Sequence, residues 1–445
     1  MRLYRFYLFY GGDAEPQFSI YSSRFAPSQM SSALKRLSDG DVALHFRAAH
    51  LCQARSLFRL TTGSPILSTS ASLRIVPLDS KADLDRFIKL PGAILGSDPA
   101  WVPPLHLERR LHLGAKTNPY FEHARWKGWV AFRGDQPVGR ISAQIDSLHL
   151  ERHEDATGFF GMLDAEDRQE TFAALIGAAE DWLRSEGIKR VRGPLSLSIN
   201  DEVGLLVDGF DTPPFFMMGH AKPYYGARIE QCGYHKAKDM LAYIVEPDFP
   251  APKVMKRLLA KSMQRIRVRP LDRSKFDEEL ALLRDIFNDA WAENWGFVPF
   301  TEAEFKDLGH TLRVLIASEL IQIAEVDGQG AAFIVALPNV NEVIKDFGGK
   351  LLPFNWAKLL WQLKVRFPKS SRVPLMGVRR SFHHTPLGPG LAFLVIDAVR
   401  HHLVARGVEQ VELSWILEDN DGMRNIIEAI GGRDYKRYRV YEKEL

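Results

Sequence analysis

Leu375-Met-Gly-Val378, Arg379-Arg380-Ser-Phe-His-His-Thr385-Pro-Leu-Gly388-Pro389-Gly390, the apolar run 391–405 and Val408-Glu-Gln-Val-Glu-Leu-Ser-Trp-Ile-Leu417 follow one another near the C-terminus. Their reading decides the fold. Leu391, Leu394, Val395, Ala398, Val399 and His402 recur at helical spacing, so one face of that run is buried. Gly407, just after Arg406, ends the helix. Val411, Leu413, Trp415 and Leu417 alternate with period two, as a half-buried strand does. Glu418-Asp419-Asn420 opens a short helix to 429, Gly431-Gly432 closes it, and 435–441 reads as a last strand. Gly388 and Gly390 remove side chains where the long helix begins, which leaves backbone N–H groups and the positive helix end open to an anion.

This order resembles the acyl-CoA-binding half of the GNAT N-acyltransferase superfamily, where a turn of the form Arg/Gln-x-x-Gly-x-Gly/Ala holds the CoA pyrophosphate. Gly388, Pro389 and Gly390 fill the last three positions, but Thr385 stands where Arg or Gln is expected. Arg379 and Arg380 are expected to supply the missing charge. The family's Asn matches Asn420, whereas its frequent general-acid Tyr, seven residues on, is Ile427 here. The resemblance implies acyl-CoA as co-substrate, held by Met376, Gly377, Val378, Arg379, Arg380, Gly388, Pro389, Gly390 and Asn420.

At 445 residues the chain is long enough for two domains. Its composition is globular, with 46% hydrophobic and 25% charged residues. A net charge of only +3 gives no reason to expect a nucleic-acid partner. Cys52 and Cys232 have no metal-ligand or redox spacing, so no metal is expected and a reducing cytosol suits the chain. Residues 1–70, rich in Ser, Arg and aromatics without a sustained period, read as a poorly ordered extension or a membrane-touching arm. Their first ten residues are too short and interrupted for a signal or spanning segment. The expectation is a cytoplasmic protein, soluble or peripheral on the inner membrane.

In the first half, a strand at 73–78, a hairpin around Arg133-Gly-Asp-Gln136, a strand at 158–162, a helix at 168–185 and a strand at 189–193 follow in order. The hairpin run from Trp129 resembles the second and third strands of a GNAT domain. Its glycine-free turn, Leu163-Asp-Ala-Glu-Asp167, is acidic and would repel a pyrophosphate. The expected fold is therefore α/β (α+β), with two tandem GNAT-like domains, each a mixed, mostly antiparallel sheet flanked by helices. The expected boundaries are an extension 1–70, a degenerate domain 71–246 serving as platform or substrate site, a Pro-rich linker 247–252, and an acyl-CoA-binding, catalytic domain 253–445.

The loop around Asn200 and Glu202 is polar and Pro/Gly-rich, as at a site, although Asn200 and Asp201 capping backbone groups explains it equally. Expected substrate contacts are Asn200, Glu202, Phe216, Met217, Tyr224, Tyr225, Trp291 and Trp295. Met and aromatic side chains at this spacing suit an alkyl chain or an ordinary core. Acyl transfer to an amine needs an oriented thioester, N–H donors for its oxyanion and a base for the ammonium. Candidate bases are Glu418, Glu412, Glu293 and the pair His383-His384, with Glu418 placed beside Asn420; Glu418 capping the next helix is the alternative. Tyr438 or solvent would protonate the leaving thiolate. An insertion at 347–369 sets Trp356, Trp361, Leu363 and Phe367 among Lys358, Lys364, Arg366 and Lys369, which is the composition of an interfacial segment or of a core-packed helix.

Arg192-Gly-Pro194, the run 202–211, Asn294-Trp-Gly-Phe297 and Trp415-Ile-Leu-Glu-Asp-Asn420 resemble the bacterial ceramide synthase group. That resemblance implies fatty acyl transfer from acyl-CoA to a lipid amine, a sphingoid base, at the inner membrane surface. Three other readings stay open: an acetyltransferase for a small amine, an aminoacyl-tRNA-dependent transferase of the peptidoglycan-bridge type, and a non-catalytic acyl-CoA-binding module. Near-neutral charge and the lack of a helical arm between the domains weigh against the second.

Overall fold

A computed structural model describes residues 72–262, 265–385 and 387–445. The expected extension 1–70 lies outside the described residues. In the first half of the chain the strands are β1 (Leu73–Pro77), β2 (Ala124–Arg133), β3 (Gln136–Asp146), β4 (Thr157–Ala165) and β5 (Arg190–Gly193). The short β6 (Leu195–Ser196), β7 (Glu202–Val203) and β8 (Leu205–Asp208) and the long β9 (His235–Val245) follow. The second half supplies β10 (Ile266–Pro270), β11 (Ile321–Val326), β12 (Gln329–Pro338), β13 (Ser370–Val378), β14 (Gln410–Leu417) and β15 (Arg433–Glu444).

Thirteen of these form one sheet, in the order β1-β2-β3-β4-β5-β15-β9-β14-β13-β12-β11-β10, with β8 joined to β15. The order is a mirror. An antiparallel run ends in a parallel pair on each side: β4 with β5 over Thr157–Phe159, and β13 with β14 over Ser370–Val373. Between the two parallel pairs the halves trade strands. β9, from the first half, pairs with β14, and β15, the last strand, pairs with β5. β9 and β15 also pair with each other, from Arg433↔Ile244 to Glu442↔His235. The described residues belong to one compact unit, and the sheet runs straight across the segment 247–252 that composition suggested as a linker. Proline runs suit a connection inside a fold as well as one between folds; the pairing that decides is non-local.

Helices cover both faces. α1 (Lys81–Lys89) is capped by Ser80, which accepts from Asp83 N, and α2 (Gln169–Ser185) buries Phe172, Leu175, Ile176, Ala179 and Leu183 against the first-half strands. α3 (Lys253–Ser262) precedes β10, and α4 (Phe276–Ala290) buries Leu280, Leu283, Ile286 and Phe287. α5 (Asn355–Trp361) lies in the insertion between β12 and β13. α6 (Leu387–Ala405) connects β13 to β14, and α7 (Asp421–Ala429) connects β14 to β15. Among the described residues α6 is the one helix long and apolar enough to cross a membrane, but half of it is buried inside the fold, where Leu391, Val395 and Leu403 belong to the second core.

Two local readings change. α6 starts at Leu387, so Gly388 and Gly390 sit in its first turn rather than in a preceding one. Pro389 suits that position because its φ is already helical. Glycine is required at 388, where a Cβ would stand 2.5 Å from the Phe382 carbonyl oxygen. In the first half, Leu163, Asp164 and Ala165 are the buried end of β4, not a turn. Asp164 is held there by the Arg140 Nε at 2.8 Å.

Candidate active site

β13 and β14 are paired only as far as Val373↔Leu413. Pro374 follows, without an N–H to continue the ladder. Beyond it the strands part, and a cavity of about 1080 Å³ passes between Met376, Gly377 and Val378 on one side and Trp415, Ile416 and Leu417 on the other. Arg380, His383, His384, Gly388 and Pro389 line it at the start of α6, and Asn420 lines it at the start of α7. Asn200, Trp291, Glu293, Asn294 and Trp295 complete its lining, with Glu293 beside Arg380. The Trp291 Nε1 donates to the Met376 carbonyl at 3.0 Å. In an antiparallel ladder a residue's N–H and C=O point to the same side, so the Met376 N–H also faces the parted strands. The carbonyl of Val378 accepts from His383 Nε2 at 2.7 Å.

The start of α6 is less open than glycines alone suggest. Thr385 serves it as a cap: its Oγ1 accepts from Leu387 N at 3.3 Å and its carbonyl from Gly388 N at 3.2 Å. Thr385, standing where the family pattern has Arg or Gln, thus engages two of the expected donors. What remains for an anion is the positive helix end and the Arg380 guanidinium, which is also within 2.9 Å of Glu293 Oε1. Arg379 is turned away, donating to the Gly330 carbonyl at 2.7 Å and to Asp285, and does not line the cavity.

The matching place in the first half is closed. Past Phe159↔Arg192 the strands β4 and β5 also part, but the chain at 195–197 fills the gap. A Cβ on Gly161 would stand 1.8 Å from the Leu195 carbonyl oxygen, and Gln144 Nε2 donates to the Leu195 and Leu197 carbonyls at 2.6 and 3.0 Å.

No family model matches the chain. It is 50% identical over 367 residues to Protein YghO of Escherichia coli (strain K12), covering 82% of this chain and 94% of that protein. It is 47% identical over 383 residues to a protein named Bacterial ceramide synthase of Caulobacter vibrioides (strain NA1000 / CB15N), covering 86% of this chain and 100% of that one. The chain belongs to the bacterial ceramide synthase family. Among solved structures it is similar to a tandem GNAT protein from the clavulanic acid biosynthesis pathway, with TM-score 0.50 and 14% identity over 84% of this chain and 98% of that one. It is also similar to the GCN5-related glucosamine N-acetyltransferase region of a fungal multi-domain β-N-acetylglucosaminidase, with TM-score 0.52 and 17% identity over 84% and 38%. The fold is therefore the tandem GNAT fold, and this member of the family is an acyltransferase.

Of the residues the sequence pointed to, the acyltransferase gathers Met376, Gly377, Val378, Arg380, Gly388, Pro389, Asn420, Glu293, Asn200, Trp291 and Trp295 around one cavity. Others lie elsewhere. Gly390 is buried within α6. Glu418 points outward, taking Lys236 Nζ at 2.6 Å and the Asp239 N–H at 3.1 Å. Tyr438 is fully buried, donates to the Gly219 carbonyl at 3.3 Å, and is held well above the usual phenol range by that burial. It is core, not an acid for a leaving thiolate. Asn420 accepts from Met423 N at 3.1 Å and so caps α7 as well as lining the cavity. Tyr224 and Tyr225 tie the end of β4: Tyr224 donates to the Ala165 carbonyl at 2.7 Å, and Tyr225 accepts from Ala165 N at 3.2 Å. Glu202, paired with Arg109 at 2.8 Å, lines a separate cavity of about 170 Å³ with Phe216 and Met217.

Sequence reading missed the polar cluster under the parted strands. Arg372 and Glu412 are register partners on β13 and β14, both fully buried. Neighbouring Val411 and Leu413 line the cavity, so the Glu412 side chain points to the opposite face. That argues against Glu412 as the base. Burial pushes its carboxyl up from 4.5 to about 7, against the pull of Arg372. A carboxyl with a raised folded-state pKa keeps protons that the unfolded chain has released, so stability is lost as pH rises between those two values. Glu412→Gln should therefore raise the unfolding free energy at about pH 8 by on the order of 2 kcal/mol, read as a higher melting temperature, and lose that gain near pH 4.5. Equal shifts at both pH values would contradict this account.

Proposed function

We propose that this acyltransferase moves a fatty acyl group from acyl-CoA to the primary amine of a sphingoid base. The observation that carries this reading is the cavity between the parted β13 and β14, lined by a helix start and Arg380 and by the apolar Trp291 and Trp295. The Caulobacter relative's name, Bacterial ceramide synthase, supports the acceptor. The start of α6 and Arg380 would meet the pyrophosphate. The thioester carbonyl would lie against the Met376 N–H, a donor already aimed between the strands. The amine, entering past Trp291 and Trp295, attacks that carbonyl; the C–N bond forms, the C–S bond breaks, and CoA leaves as the thiol. Glu293, which lines the cavity beside Arg380, is the carboxylate that would take the amine's proton, with the exposed His383-His384 pair as the other acceptors. The test is to incubate the full chain with palmitoyl-CoA and sphinganine and follow free thiol together with lipid product by mass spectrometry. Equimolar N-acyl product and thiol are expected. Turnover only with acetyl-CoA and a water-soluble amine would replace the lipid acceptor by a small one.

Membrane contact belongs to the same reading. In the insertion, Leu359 and Leu363 are buried while Phe354 is 80% exposed and Leu352, Trp361 and Val365 are exposed beside Lys358 and Arg366. A cytoplasmic enzyme resting on the inner membrane through this tip would meet its lipid substrate there. The double variant Phe354→Ser/Trp361→Ser should lose at least about tenfold in binding to phosphatidylglycerol vesicles by co-sedimentation. Unchanged binding would move the contact to another surface.

A further inference from the structure

The cavity continues along α6 beyond its first turn. Ala392, Ile396, Val399 and Leu403 continue its lining along α6, at three- and four-residue steps, after Gly388 and Pro389. From Gly388 to Leu403 that stripe spans roughly 22 Å at about 1.5 Å per residue. Its far end is closed and apolar: Val245 is 6% exposed, Phe249 9%, Val399 3%, Leu403 1% and Val411 3%. The charged group there, Arg400, is spent on Asp397 at 2.8 Å and on the Phe249 carbonyl at 3.3 Å, with its guanidinium 4.8 Å above the Phe249 ring. Among the described residues that line this end, no other charged side chain offers an amide or a phosphate a partner. An apolar lining of this length suits an alkyl chain rather than a polar ligand.

We infer that this closed end is a sleeve for the alkyl tail of the acyl donor, with Phe249 as its floor and Val399 and Leu403 as its walls. This rests on the acyl-CoA reading above and adds what limits chain length. Phe249 lies in the connection between the two halves, so the segment that joins them would also gauge the acyl chain. The alkyl tail of the amine has the same chemistry, but its headgroup would enter past Trp291 and Trp295.

The test uses the full chain with a series from octanoyl- to stearoyl-CoA, first as the melting-temperature shift each acyl-CoA causes beyond CoA, then as kcat/KM with sphinganine. Val399→Phe should cut the stearoyl-to-octanoyl ratio in kcat/KM at least about tenfold, because each displaced methylene is worth about that factor. Phe249→Ala should move the preferred length upward, so overpacking of one variant leaves the other to decide. Variants that melt normally with CoA and keep the wild-type acyl-length profile overturn the sleeve. So does a profile that shifts only when sphinganine is replaced by a shorter or longer base, because the tail would then be the amine's. A melting shift that grows with acyl length in the wild-type chain and is truncated by Val399→Phe, without turnover of any amine, would keep the sleeve and remove the proposed acceptor reaction.

Discussion

Arg372→Leu should lower the unfolding free energy by about 3–5 kcal/mol, the cost of breaking a buried charge cluster by removing one member. Arg372 is fully buried on β13 and holds three acceptors that no other side chain replaces. Its Nε donates to Ser414 Oγ at 3.1 Å, Nη2 to the Ser414 carbonyl at 3.3 Å and Nη1 to the Phe216 carbonyl at 3.0 Å. The guanidinium also lies 4.7 Å from the Trp415 ring. Leucine leaves those acceptors buried without a donor and Glu412 without its neighbouring cation. Arg372→Lys keeps the charge but not the planar fork, and should fall between. Urea unfolding followed by fluorescence measures both. A Leu variant within about 0.5 kcal/mol of wild type would show the cluster to be replaceable by apolar packing. Because Ser414 and Trp415 form the edge where β14 leaves β13, the Leu variant should also lose activity before it unfolds.

Pro389→Glu should raise KM for acyl-CoA about 100-fold with little change in stability. Pro389 is exposed in the first turn of α6 and lines the cavity. A carboxylate in a first helical turn is tolerated or mildly favourable through the helix dipole, by about 0.3–1 kcal/mol. To an incoming pyrophosphate it is a like charge at contact range, worth about 3 kcal/mol of repulsion at an effective dielectric near 20. That corresponds to about two decades of affinity. High salt should restore part of the loss, and Pro389→Ala should stay near wild type. A Glu variant with the KM of the Ala variant would place the pyrophosphate away from α6.

Periodicity was legible wherever it is local. The stripe of α6, the alternation of β14 and the hairpin of β2 and β3 depend on residues a few positions apart, and those spacings survive any tertiary context. The candidate site was legible where a residue's role comes from its backbone place, as at Met376–Val378, Gly388 and Pro389, which meet at one cavity. It was not legible for side chains whose role depends on which face they take. Tyr438 and Tyr225 have the chemistry of a site but the burial of a core, Tyr224 packs half-buried beside Tyr225 with its hydroxyl on the Ala165 carbonyl, and Glu418 is taken by Lys236 and Asp239 from β9, about 180 positions away in the chain.

By itself the sequence determined that this protein has two like halves and that only the second carries glycines at its helix start. Short-range sterics and apolar period are enough for that. Only the tertiary structure decided that the halves trade β9 and β15, that the first gap is filled by 195–197 while the second stays open, and that Arg372 and Glu412 are buried beside it. Strand pairing and cavity closure join residues far apart in the chain, and their free energy depends on the partner found rather than on the residue itself.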